Sequence, residues 1–345
     1  MTGYALYRMP YAVQCTQLTG QVAAVDTYAT LGSQQGFVVA PFAPSADSPI
    51  LVISPDDVQT LAAGDAQLPP LPLPLLPHAD SSDQRADYHI DFLNFHAQLR
   101  SGTFQKLVLS RTLDIHAPGG VRPEQLFRQA CQRYPRMFVA LVYTPQSGLW
   151  LVATPEILLS GRNSRWQTMA LAGTMPWAEV VTWGDKNLQE QRYVASYIIR
   201  QLERFTTDFT ERGPYTTRAG HLAHLRSDFL FTLYDDAHVG ELLHALHPTP
   251  AVCGLPKDQA RDFILRHEHH CRSYYSGFMG PLAVRNQTHL FVTLRCMQVY
   301  ADGFRLYAGG GLLRDSLEEQ EWQETEAKLD TMRRLIVNPE GATAP

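Results

Sequence analysis

Charge is scarce in this sequence, and its cysteines show no paired spacing. Charged residues make up 18% of the 345 residues, and the formal net charge is −5. No long run of lysine or arginine is present that would neutralise a row of phosphates, so we do not expect a nucleic-acid partner. The five cysteines are odd in number and include no CxxC pair, which indicates free thiols rather than a disulfide framework or a zinc site.

Long apolar runs are also missing. Nowhere do about 18 apolar residues follow one another, as a membrane-spanning helix requires. Residues 1–16 contain no basic segment followed by an apolar stretch and a small-residue cleavage site. We therefore expect a cytoplasmic protein with no membrane partner. Hydrophobic residues make up 45% of the chain, which is enough to bury a sizeable core.

One proline-rich stretch divides the chain. Residues 67–78 read QLPPLPLPLLPH, and prolines remove backbone donors and favour an extended connector. We predict that residues 1–79, a short N-terminal segment with this connector, belong to the same fold as a catalytic core over residues 80–345.

Apolar periodicity predicts an α+β fold. Helices are predicted at 88–99, 186–205, 258–266 and 316–336, and a strand at 106–115. Apolar runs separated by turn residues predict three hairpins: 137–144 with 150–154, 157–160 with 167–172, and 291–300 with 304–308. Local hairpins indicate largely antiparallel sheets rather than alternating βαβ units.

A glutamate lies on the apolar stripe of one predicted helix. Val194, Ile198 and Leu202 follow one another at a spacing of four, and the same spacing backwards reaches Glu190. An inward carboxylate must be hydrogen-bonded, paired or bound to a cation, because an unpaired buried ion costs several kcal/mol. The alternative is that Glu190 lies in a solvated first turn, where negative charge suits the helix dipole.

The last predicted helix places Glu321, Glu324 and Lys328 on one face, at spacings of three and four. Two carboxylates there would suit Mg²⁺, which takes one or two protein carboxylates and keeps several waters. The alternative is a solvated acidic face with a surface ion pair between Glu324 and Lys328.

Arg295 and a run of three glycines are candidates for binding an anion. Arg295 falls within the predicted strand 291–300 on its apolar face, where it would grip a carboxylate or form an internal salt bridge. Gly309, Gly310 and Gly311 are predicted to follow a strand and precede a loop. Their backbone N–H groups would then form a nest for an anion, or the run is a plain turn.

Nine segments, in this order, resemble those of the chorismate-utilising enzymes, which include isochorismate synthase, salicylate synthase and the large subunits of anthranilate and aminodeoxychorismate synthases. They are KLVLSR at 106–111, ATPEILL at 153–159, LAGT at 171–174, the helix of Glu190, HPTPAVCGLP at 247–256, YSG at 275–277, VTLRC at 292–296, RLYAGGGLL at 305–313 and EWQETEAKLDTM at 321–332. The resemblance implies a single chorismate-binding domain like that of anthranilate synthase component I, with two packed, largely antiparallel sheets flanked by helices.

The resemblance also implies a site. It implies Mg²⁺ bound by Glu190 and Glu324, with Glu321 near the ion. Lys106 would be the general base for water attacking C2, and Glu156 the general acid for the hydroxyl leaving C4. The residues implied to bind substrate are Gly173, Thr174, His224, Ala251, Tyr275, Arg295, Gly309, Gly310, Gly311 and Lys328.

Within this family, the sequence favours isochorismate synthase, for menaquinone or siderophore biosynthesis. Ala251 stands where amine-using relatives usually have threonine, and water-using members need a base at Lys106. Salicylate synthase, which goes on to eliminate pyruvate, is the first alternative. The second is a chorismate-binding subunit partnered by a glutamine amidotransferase, but threonine at 251 and the loss of Lys106 or Glu156, which would mark it, are not found. We therefore expect no amidotransferase partner.

Overall fold

Sixteen strands and seven helices make up the described part of a computed structural model, which covers residues 2–77, 83–117, 120–233 and 238–337. The strands are β1 (Thr2–Arg8), β2 (Gln14–Val25), β3 (Gly36–Ala40), β4 (Ile50–Ala62), β5 (Lys106–His116), β6 (Phe138–Thr144), β7 (Gly148–Thr154), β8 (Ile157–Arg162), β9 (Arg165–Pro176), β10 (Phe209–Ala219), β11 (Leu222–Thr232), β12 (Gly254–Leu255), β13 (Phe278–Leu282), β14 (Thr288–Val292), β15 (Cys296–Val299) and β16 (Gly303–Leu312). The helices are α1 (Tyr28–Gly32), α2 (Gln84–Arg100), α3 (Pro123–Arg133), α4 (Asp185–Leu202), α5 (Val239–Leu246), α6 (Lys257–His267) and α7 (Glu318–Val337). None of the helices described is long and apolar enough to cross a membrane.

The strands form one hydrogen-bonded sheet in which neighbouring strands pair antiparallel. Its order is β10-β11-β9-β8-β14-β13-β3-β4-β2-β1-β6-β7-β15-β16-β5-β12. The N-terminal strands β1 to β4 occupy the middle of this order, so they join the strands on either side into a single sheet.

This long sheet folds back on itself, so that its two halves pack face to face. Phe138 of β6 stacks on Phe291 of β14, with ring centroids 4.2 Å apart. Five strands separate β6 from β14 in the order of the sheet, so the two rings come from opposite halves. Helices α4 and α5 cover the outside of the half that contains β9 and β11, while α3 and α7 cover the half that contains β15 and β16. The predicted α+β class and the two packed antiparallel layers are confirmed, and the layers are halves of one continuous sheet.

The described part of the proline-rich connector, residues 67–77, packs against the half of the sheet that contains β15 and β16. Leu76 is buried, and its N–H donates to Asp302 Oδ1 at 2.7 Å. Leu68, Leu71 and Leu73 pack against the same core that α3 and α7 cover. The predicted boundary between residues 79 and 80 lies outside the described residues, as does residue 78.

The predicted strand 291–300 is wrong, because the chain leaves the sheet in its middle. β14 ends at Val292 and β15 begins at Cys296, and Arg295 between them has φ 41°. A non-glycine residue in this left-handed region is strained by an order of 1–3 kcal/mol. Arg295 therefore lies in the connection between two strands and not on an apolar strand face.

The prediction that Gly309–Gly311 follow a strand is also wrong. All three glycines lie within β16, where they pair with Ser110, Leu109 and Val108 of β5. Because the three glycines lie in a strand, the alternative of a plain turn is wrong.

Candidate active site

A cavity of about 50 Å³ lies between the two halves of the sheet, walled by β9 and β11 from one half and by β5 and β16 from the other. The predicted residues that line it are Glu156, Gly173, Thr174, Glu190, His224, Ala251, Tyr275, Arg295, Gly309, Gly311, Glu324 and Lys328. Lys106, Gly310 and Glu321 are not part of this lining. Because one water needs about 10–15 Å³ of such space, the cavity holds only a few waters. Lining side chains must therefore shift to admit a ring-bearing substrate.

Glu156 lies in the turn between β7 and β8, and its side chain is only 1% exposed. Its Oε1 has no hydrogen-bond partner among the described residues. Burial raises the pKa of Glu156 to about 8, although the positive charges of Lys106, Arg295 and Lys328 oppose this. The carboxyl group is therefore mainly protonated at neutral pH and can donate a proton to a leaving group.

Arg295 is a buried cation in the same cavity. In the described part of the chain, no acidic side chain lies within ion-pair distance of its guanidinium, so the alternative of an internal salt bridge is wrong. Burial lowers the pKa of Arg295, yet a guanidinium stays charged in proteins. A buried positive charge that forms no direct ion pair with a described carboxylate is suited to binding an anionic ligand.

His224 of β11 holds the guanidinium of Arg295 in place. Its Nδ1 lies 2.9 Å from the carbonyl oxygen of Gly173, and its Nε2 lies 3.2 Å from Arg295 Nη2. A carbonyl can only accept and a guanidinium can only donate, so Nδ1 carries the proton and Nε2 accepts from Arg295. Burial lowers the pKa of His224 to about 3, with Arg295 as the next cause, so the ring is neutral. His224 lines the cavity as predicted and also positions Arg295.

Glu190 is buried, which makes the alternative of a solvated first turn wrong. Its Oε1 lies 2.9 Å from Nζ of Lys106, which is fully buried at the start of β5. Both side chains lie over Gly311, where an added Cβ would overlap the Glu190 carboxylate and lie 3.0 Å from Lys106 Cε. Glycine at this point of β16 therefore provides the space that the ion pair fills.

The acidic face of α7 is turned inwards rather than towards solvent. Glu321 is 1% exposed and contacts Nζ of Lys186 in the first turn of α4, while Glu324 Oε1 lies 2.6 Å from Lys328 Nζ. An added Cβ at Gly310 would lie 3.4 Å from Glu321 Oε2 and 3.8 Å from Glu324 Oε1. The alternative of a solvated acidic face is therefore wrong.

Lys186 is a residue of this cluster that the sequence analysis missed. It precedes Glu190 by four residues on α4, and this spacing was the available signal. Burial alone would lower the pKa of Lys186, but Glu321, Glu324 and Glu190 together raise it. The positive charge of Lys186 thus interacts favourably with all three carboxylates.

The acidic side chains of this cluster are of the kind that a hard divalent cation binds. Three carboxylates converge on adjacent glycines of β16, and Oε2 of Glu321 is buried with no hydrogen-bond partner among the described residues. No group of three or more His, Cys, Asp or Glu side chains within those residues is already arranged around one point as metal ligands. Mg²⁺ usually takes only one or two protein carboxylates and completes its shell with water and substrate. In donor chemistry and in the unused buried oxygen, the residues fit such an ion.

Comparison with known proteins identifies relatives of the chain. The profile of the family described as "Chorismate binding enzyme" matches residues 56–337. The isochorismate synthase MenF of Escherichia coli K12 is 32% identical over 248 residues, which cover 69% of this chain and 57% of that protein. The isochorismate synthase DhbC of Bacillus subtilis 168 is 34% identical over 261 residues, which cover 70% of this chain and 65% of that protein. The chain thus spans about three fifths of the length of these two relatives.

Solved structures share the fold over almost the whole chain. The structure of MenF from Escherichia coli aligns with a TM-score of 0.79 at 24% identity, covering 97% of this chain and 88% of that one. Anthranilate synthase component I from Streptococcus pneumoniae aligns with a TM-score of 0.71 at 17% identity, covering 96% of this chain and 92% of that one. The folded-back sheet is therefore a fold found in both proteins.

Proposed function

Because the chain belongs to the chorismate-binding enzyme family, we propose that it is an isochorismate synthase. In this reaction water adds at C2 of chorismate, the ring double bonds shift, and the C4 hydroxyl leaves. The observation that carries the proposal is that one cavity holds a protonated carboxyl group, Glu156, together with a buried guanidinium, Arg295, that forms no ion pair within the described part of the chain. Similarity to two isochorismate synthases supports the same activity.

Arg295 binds a carboxylate of the substrate in this proposal. A guanidinium presents two parallel N–H donors that match a carboxylate, and His224 accepts from Nη2 of Arg295 alone. Tyr275 and Ala251 line the same cavity, and Ala251 leaves room at the ring where amine-using relatives carry threonine. The buried positive charge of Arg295 thus offsets part of the negative charge of the dianionic substrate.

In the proposed reaction Lys106 accepts a proton from water, and Glu156 donates a proton to the leaving hydroxyl. As the water oxygen bonds to C2, its proton passes to the amine of Lys106, which acts as a base only once it has lost the proton that it carries in its ion pair with Glu190. The ring electrons then shift and the C4–O bond breaks, and the proton of Glu156 converts the departing hydroxyl into water. The high pKa of Glu156 supports its role as the acid, and each such group typically contributes about 10²–10⁴-fold to the rate.

Mg²⁺ is the proposed cofactor, and Glu190 and Glu324 would hold it with Glu321 close by. When bound, the ion neutralises and orients the substrate carboxylate. The support comes from the inward glutamates and from the unpartnered Oε2 of Glu321. Lys328, tied to Glu324 and to the carbonyl of Gly309, keeps the carboxylate of Glu324 in position.

The proposal is tested by incubating the purified chain with chorismate and Mg²⁺, with and without EDTA, and separating the products by chromatography with mass detection. We expect isochorismate, formed only when metal is present, without ammonia and without an amidotransferase. Lys106→Ala and Glu156→Gln should each lower its formation about 10²–10⁴-fold, whereas Arg192→Gln, on the exposed face of α4, should not change it. Salicylate with pyruvate would make the chain a salicylate synthase, and turnover that requires ammonia would indicate a partnered subunit.

A further inference from the structure

We propose that Lys186 is a built-in counter-cation that competes with the divalent metal for Glu321, and so sets how tightly the site binds that metal. This inference rests on the proposed function, because it presupposes a metal site among the three glutamates. It concerns a residue that lies outside the set implied by the family resemblance.

The three Lys–Glu pairs of the cluster differ in how easily they can open. The side chain of Lys106 is fully buried. That of Lys328 is 11% exposed, and its Nζ also donates to the carbonyl oxygen of Gly309 at 2.7 Å. Lys186 is 32% exposed, and its ammonium has no second acceptor recorded among the described residues. Lys186 is therefore the cation that can withdraw into solvent on its flexible stem.

The position of Lys186 makes this withdrawal relevant to the metal. It lies in the first turn of α4, one turn before Glu190, and reaches across to Glu321 of α7. The same ammonium group thus spans the two helices whose glutamates would hold the ion. While Lys186 contacts Glu321, a divalent cation there would meet a positive charge at hydrogen-bond range, which is unfavourable in a site screened from water.

Glu321 needs a cation in either state. A buried carboxylate left without a partner destabilises the folded chain, and either ammonium or metal can remove that cost. Replacing Lys186 with a neutral residue should therefore have two opposite effects. The metal-free protein should become less stable, and the affinity for metal should rise, because the metal no longer displaces a lysine.

The test is to titrate Mg²⁺ into metal-free protein by calorimetry, in the absence and presence of chorismate, and to record thermal unfolding in EDTA and in excess MgCl₂. We expect Lys186→Gln to bind Mg²⁺ about tenfold more tightly than the natural chain. Its unfolding midpoint should fall in EDTA and recover in MgCl₂. Arg192→Gln removes one positive charge from the exposed face of the same helix and should behave as the natural chain does.

The outcomes separate this inference from the proposed cofactor. If the natural chain binds Mg²⁺ and Lys186→Gln binds it equally or more weakly, the role of Lys186 is refuted and the metal site stands. If neither protein binds Mg²⁺ even with chorismate present, both proposals fail. Should Lys186→Gln not fold, the double variant Lys186→Gln/Glu321→Gln removes both charges. It should fold and show no tenfold gain, and a retained gain would refute the competition.

Discussion

Replacing Glu156 with glutamine should stabilise the protein at neutral and alkaline pH while it lowers activity about 10²–10⁴-fold. The side chain is buried and its Oε1 has no hydrogen-bond partner among the described residues, so a neutral amide of the same shape fits the site. The pKa of Glu156 is raised from an ordinary 4.5 to about 8 by burial. The folded chain therefore holds a proton there that the unfolded chain releases.

The sign and size of the effect follow from this difference in pKa. A raised carboxyl pKa favours the folded state fully below pH 4.5, and this advantage is lost as the pH rises towards 8. At 1.36 kcal/mol per pKa unit, the natural chain is penalised by about 3 kcal/mol at pH 7 and by about 5 kcal/mol at pH 9. Glu156→Gln carries no such penalty, because its amide does not titrate.

The assay is chemical denaturation of both proteins between pH 4.5 and 9, with the difference in unfolding free energy plotted against pH. Ionisations elsewhere cancel in this difference. We expect the two proteins to agree near pH 4.5 and Glu156→Gln to become progressively more stable up to pH 9, with activity about 10²–10⁴-fold lower throughout. A difference that does not change with pH would refute the reasoning that Glu156 is held protonated by burial.

Three further predictions concern the walls of the cavity. Arg295→Lys should raise the KM for chorismate at least about tenfold, because ammonium cannot make the paired N–H contacts of guanidinium, whereas Arg305→Lys at the Asp114 pair should leave KM unchanged. His224→Gln should raise KM with a smaller effect on kcat, since the ring positions Arg295 and does not titrate near neutral pH. Gly311→Ala should abolish Mg²⁺-dependent turnover, because the added methyl group overlaps the Glu190 carboxylate. Its control, Gly64→Ala, meets no atom within 4 Å and should retain activity, so a comparable loss in both would contradict the argument.

The sequence predicts the charged residues of the site that helical spacing places on a buried face. Glu190 continues the apolar stripe of α4, and Glu321, Glu324 and Lys328 share a face of α7, and all four are part of the buried cluster. Periodicity works here because a helix repeats every 3.6 residues whatever it packs against. Lys186 has the same spacing, yet a lysine in a first turn is also what a solvated helix end contains. Only its contact with Glu321 shows that Lys186 belongs to the buried cluster and not to a solvated helix end.

Arg295 shows where sequence patterns fail. Apolar residues continue at alternate positions through 291–300, so the pattern predicts one strand, but alternation carries no information about a single residue at positive φ. The hairpin of β10 and β11 was missed for a related reason. Most side chains of β10 are exposed, so that strand lacks the alternation by which a half-buried strand is recognised. The folding of one sheet onto itself depends on contacts such as that between Phe138 and Phe291, which no local pattern contains.

The measurement that most directly tests the account is the mass of the product formed from chorismate and Mg²⁺ in water labelled with ¹⁸O. If the chain adds water at C2 and expels the C4 hydroxyl, isochorismate will form and will carry one ¹⁸O atom. Unlabelled isochorismate would contradict the roles of Lys106 and Glu156. No isochorismate, or salicylate and pyruvate in its place, would contradict the proposed activity.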